Sequence, residues 1–159
     1  MKSITLLLSV ARTSEKALDF AVEQAKKHSA ELSVVYIIDT SIADEVFDRF
    51  TDIGFIGDKP STELTEAMMK EFRQRAYEDL GRVQVKAMEE GVAYNPMTVQ
   101  GDFLQCAMEA VQKQKADLVV AVRRRASAFM RYFSTSPVDD LKKSVPCEVV
   151  IFEEEQAEG

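Results

Sequence analysis

The chain has 159 residues, 46% hydrophobic and 30% charged, which fits one globular domain with a sizeable core and excludes a disordered chain or two ordinary domains. Its formal net charge of −7 opposes phosphate-rich surfaces, so neither nucleic acid nor an anionic membrane is expected as a partner. The longest unbroken apolar runs, Val34–Ile38 and Leu118–Val122, are far too short to span a bilayer.

Ile4–Val10 reads as an apolar strand. The same stretch imitates a short signal peptide, but it runs straight into an amphipathic helix that needs a strand to pack against. Ser14 caps that helix, with Ala17, Leu18, Ala21, Val22 and Ala25 on one face. Leu32–Ile38 is a second apolar strand. Asp39–Pro60 is irregular, with room for a turn of helix near Ala43–Phe50; Phe47, Phe50 and Phe55 within it cover the core by default. The longest helix runs from about Glu63 to Glu90, where Leu64, Met68, Phe72, Ala76, Leu80, Val83 and Ala87 recur at three- and four-residue steps. Met68 and Met88 are read as core and Gly91 as the glycine that ends the helix.

Ala93–Gln100 is a third strand, and Pro96 within it marks a sheet edge. Phe103–Lys113 is helical with Ala107, Ala110 and Val111 inward, and Leu118–Val122 is strand four. Ser136-Pro137-Val138-Asp139-Asp140 opens a short helix: serine as cap, proline at the first helical position, acids at the positive end of the dipole. Glu148–Phe152 is strand five. The domain covers residues 1–153, and 154–159 is an acidic tail. Cys106 and Cys147 lack metal or CxxC spacing and read as reduced, semi-buried thiols of a cytoplasmic protein. His28, the single histidine, falls in the last turn of the first helix and belongs to no catalytic constellation; metal-ligand spacing is absent.

Near-continuous apolar strands alternating with helices predict an α/β fold, a parallel sheet covered on both faces and doubly wound. Ligands of such sheets bind at the carboxyl ends of the strands, where the winding reverses. The loop after strand four therefore carries the functional question. A phosphate cradle needs small residues so that backbone N–H groups approach the anion. Ala116–Ser136 instead places Arg123, Arg124 and Arg125 there and contains no glycine.

Several short motifs in fixed order carry a resemblance: Ser14-Glu15-Lys16-Ala17-Leu18 after strand one, Gly101-Asp102 after strand three, Ala116-Asp117 opening strand four and Pro146-Cys147 before strand five. With them the chain resembles the universal stress proteins over nearly its whole length. The resemblance implies a three-layer open sheet of order 3-2-1-4-5, of the adenine nucleotide alpha hydrolase-like kind, with its switch point between strands one and four. Nucleotide-binding members carry an Asp where this chain has Ala11, commonly followed by Gly where it has Arg12. Their pattern of Gly, two residues, Gly, nine residues, Gly and then Ser or Thr falls on Val122, Arg125, Thr135 and Ser136, so only Ser136 survives. Added Cβ atoms at the glycine positions obstruct the approach of backbone to phosphate, and the missing carboxylate removes an acceptor.

The candidate ligand-binding residues are thus Ala11, Val122, Arg124, Arg125 and Ser136. The cluster of Arg123, Arg124, Arg125 and Arg131 is either an anion site or a loop paired with carboxylates, and surface charge runs favour the second reading. Ser134, Thr135 and Ser136 could meet phosphate, though Ser136 already has a reason to exist as a cap. The expectation is a non-enzymatic stress-response or regulatory module with a degenerate nucleotide-binding site that uses no cofactor and does not bind ATP. The alternative is a sensor of an adenine nucleotide or another anionic ligand through the Arg123–Arg125 loop. Strand five is apolar and unbroken by proline, so its edge needs a partner. The resemblance implies antiparallel pairing across a two-fold axis, giving a homodimer through Val149, Val150, Ile151 and Phe152, which would leave other surfaces for protein partners.

Overall fold

Two sequence periods, continuous apolar runs and three-to-four-residue apolar steps, become two kinds of layer. The computed structural model describes residues 1–39, 62–124 and 136–154, the side chains of 62–65 excepted. The strands are β1 (Ser3–Ser9), β2 (Glu31–Asp39), β3 (Tyr94–Gly101), β4 (Leu118–Arg123) and β5 (Glu148–Glu153). The helices are α1 (Glu15–His28), α2 (Thr62–Glu89), α3 (Phe103–Gln114) and α4 (Pro137–Ser144). All strand pairs are parallel and the order is β3-β2-β1-β4-β5, as expected. Pro96 sits on the edge strand β3, opposite Val34, where its missing N–H costs no ladder bond toward solvent.

Alternation along the strands divides the core in two. Ile4, Leu6, Leu8, Val34, Tyr36, Val120 and Val122 face α1 and α2, while Leu7, Val35, Ile37, Val119 and Ala121 face α3 and α4. Each fully buried Leu or Ile of this kind contributes about 1.5–3 kcal/mol. No helix among the described residues is long and apolar enough to cross a membrane.

Local chemistry fixes the helix ends. The Ser14 side chain accepts from Ala17 N–H, Asp102 from Gln105 N–H and Ser136 from Val138 N–H. At the end of α2, Gly91 has φ +68°, its N–H bonds Met88 O, and Val92 N–H bonds Ala87 O at 2.8 Å. That pair of bonds is the Schellman closure a left-handed glycine permits. Between β3 and α3, Gly101 has φ +151°, and a Cβ there would lie 3.1 Å from Cys106 Sγ. Only glycine makes this turn comfortably, and the turn sets Phe103 beneath the carboxyl end of the sheet.

Two expectations are corrected. Met88 is 71% exposed and not core: it lies beside Ala87, about 100° further round the helix than the buried stripe. Asp39 ends β2 and is buried, where an irregular segment was expected to begin. The helical turn near 43–50, with Phe47, Phe50 and Phe55, lies outside the described residues, as do Arg125, Arg131, Ser134 and Thr135.

Candidate functional site

At the carboxyl end of β1, Val10 and Ala11 form a two-residue turn. Ser9 and Arg12 close it by exchanging backbone bonds of 3.2 and 3.1 Å. The Arg12 side chain folds back over the sheet: its Nη1 donates to Ser9 Oγ and to Asp39 Oδ2, each at 3.2 Å. Its guanidinium carbon stands 4.0 Å from the centre of the Phe103 ring. Four elements therefore converge on one cation: Ser9 from β1, Asp39 from β2, Phe103 from α3, and the turn itself. All four side chains are buried.

A buried guanidinium keeps its charge, so the surroundings must replace water. Burial lowers the Arg12 pKa from its ordinary value, and the Asp39 carboxylate opposes that shift. The charge of Arg124 lowers it further and that of Glu154 raises it, so both lie within electrostatic reach of the carboxyl end. The compensation is incomplete, because among the described residues the buried Arg12 Nε has no hydrogen-bond partner. A buried donor left unpaired costs about 1–3 kcal/mol.

The expected site residues separate. Ala11 is half-buried against the α1/α2 core, and Val122 is fully buried within it. Arg124 follows β4 and acts on Arg12. Ser136 caps α4, its Oγ accepting from Val138 N–H at 3.3 Å. Arg123 turns away from the Arg12 cluster: its Nε donates to Asp139 Oδ2 at 3.3 Å, and it also pairs with Glu153. Those carboxylates, Asp139 foremost, raise its pKa. Arg123, the last residue of β4, is thus held by acids of its own chain, in line with the second of the two readings.

The Arg12–Asp39 pair was not anticipated from sequence, although a signal existed. An arginine three residues past one apolar strand and an acid ending the next become neighbours once those strands pair in parallel.

Cavities also lie elsewhere among the described residues. One of about 110 Å³ opens beside Thr13, Ser14, Glu15, Asp79 and Arg82. Burial raises the pKa of Asp79 there, against the opposing pull of Arg82, with which it pairs. Another, about 750 Å³, is an apolar groove along α3 lined by Leu104, Met108, Val111, Val145 and Pro146. Among the described residues no group of three or more His, Cys, Asp or Glu side chains could hold a metal. Cys106 and Cys147 are free and half-buried.

Residues 2–153 match the Universal stress protein family. A universal stress protein of Methanocaldococcus jannaschii is 26% identical over 157 residues, covering 99% of this chain and 85% of the relative. A universal stress protein solved in complex with cAMP superposes with a TM-score of 0.64 at 14% identity, covering 97% of this chain and 98% of the other. A family protein from Arabidopsis thaliana solved with AMP bound gives 0.59 at 12% identity, covering 98% and 93%.

Proposed function

The chain belongs to the universal stress protein family, and we propose that it acts there as a non-enzymatic, stress-response or regulatory module that does not bind ATP. One observation carries the reading: a cation of the chain itself fills the carboxyl end of the sheet. Arg12 stacks on Phe103 and pairs with Asp39 there, next to the position where Ala11 replaces an acid. Solved relatives carry cAMP or AMP on this fold. In this chain a nucleoside would have to expel a buried ion pair and then bind without the glycine loop or the carboxylate that Ala11 replaces. The module works as a cytoplasmic homodimer joined through β5, whose outer edge pairs with no other strand among the described residues. The dimer presents its helical surfaces to protein partners.

Thermal unfolding with ATP, AMP or inorganic phosphate, with and without magnesium, tests the reading. A ligand at 100 times its dissociation constant adds about 2.7 kcal/mol of stability. No shift with ATP or AMP is expected; a saturable shift with ATP would sink the proposal. A shift with phosphate alone would favour the second reading, an anion sensor. That reading draws on Arg124, whose positive charge acts at the same carboxyl end.

A further inference from the structure

Ser9, Asp39 and Phe103 make a cage whose chemistry is defined by what it holds. An acidic side chain 2% exposed, a wholly buried serine and a phenylalanine 1% exposed surround a flat cation. The Asp39 oxygen and the ring sit 3.2 Å and 4.0 Å from the guanidinium. Carboxylate geometry suits a guanidinium, and an aromatic face attracts a planar cation that lies over it. The cage comes from β1, β2 and α3, whereas its guest hangs from the turn after β1. Host and guest are thus separable parts of the chain. The guest is also imperfectly held, since Arg12 Nε is buried without a partner among the described residues and Arg124 repels it.

From this geometry we propose that the Ser9–Asp39–Phe103 cage is a guanidinium-binding site whose resident ligand is Arg12, and that a free guanidine compound enters it by displacing that side chain. Because Arg12 is tethered, it competes at a high effective concentration, so the wild-type chain binds a free guanidine weakly. Removing the tethered guest exposes the host. The proposal goes beyond the family reading and does not depend on whether ATP binds.

The test is chemical complementation. Arg12→Gln and Arg12→Ala are melted with methylguanidinium chloride, against sodium chloride, urea and methylammonium chloride as controls. At about ten times the dissociation constant the midpoint of either variant should rise by roughly 3–6 °C. The wild type should bind at least about tenfold more weakly, because its cage is filled. Adding Asp39→Asn to Arg12→Gln should abolish the rescue. If Arg12→Ala does not fold, Arg12→Gln carries the test, and if neither folds, methylguanidinium is titrated during refolding of Arg12→Gln, where recovery of the folded signal is expected. Absence of rescue, equal rescue by methylammonium, or an equal shift in the wild type overturns the proposal.

Discussion

Removing one member of the Arg12–Asp39 pair should be among the most damaging single changes in the molecule. The two side chains are only 5% and 2% exposed and meet at 3.2 Å. At an effective dielectric of about 20 and a charge separation near 4 Å, their attraction is about 4 kcal/mol, against a desolvation cost of several kcal/mol per ion. The pair as a whole is therefore close to neutral for stability. Either partner left behind is not, and breaking a buried pair from one side costs about 3–5 kcal/mol. We expect Arg12→Met and Asp39→Leu each to lose that amount by urea denaturation at unchanged m-value. For a chain of this size that loss lowers the melting temperature by roughly 6–20 °C. The double variant should lose no more than about 1–2 kcal/mol, which makes the coupling energy at least about 4 kcal/mol, since cation and carboxylate leave together. Single losses below about 1 kcal/mol with an additive double variant would refute the argument, showing that water screens the pair as it does at a surface.

Three further outcomes follow from the same structure. Gly101→Ala should cost about 1–3 kcal/mol, because φ +151° strains any L-residue and the new Cβ crowds Cys106 Sγ; combining it with Cys106→Ala should relieve the contact but not the dihedral strain, and full recovery would contradict that division. Glu154 N–H bonds Arg123 O on β4, so alternation along β5 turns the Ile151 N–H outward. Ile151→Pro should then yield a monomer by light scattering, and an intact dimer would remove this edge as the interface. The Tyr94 hydroxyl donates to Leu80 O at 2.8 Å, and burial pushes its pKa up to about 12. A raised folded-state pKa gives stability that is whole below about pH 10 and lost as pH climbs toward 12. Tyr94→Phe should shrink that alkaline loss without abolishing it, since burial also raises the Tyr36 pKa, and an unchanged profile would assign the loss elsewhere.

Local chemistry was legible in the sequence wherever neighbours along the chain decide it. Ser14 and Ser136 cap the helices they were expected to cap, Gly91 closes α2, and Pro96 marks an edge strand. The apolar runs of β1, β2 and β4 are buried on both faces, as a parallel sheet requires. Met88 shows where such reading slips: Ala87 beside it is fully buried, but one residue further on the helix surface has turned by about 100°, away from the stripe.

The state of the site was a different kind of question. The resemblance pointed to Ala11, to the glycine positions at Val122 and Arg125 and to the run of arginines, and implied the strand order that the sheet adopts. It did not reveal that Arg123 would turn to Asp139 while Arg124 acts toward Arg12. Nor did it reveal Arg12 and Asp39, which are 27 residues apart and become partners only because β1 and β2 lie side by side with Ser9 and Asp39 on one face. Propensity and periodicity act within a few residues and set the elements. The burial of a charge depends on what the completed sheet brings within about 4 Å of it, and only the tertiary structure decides that.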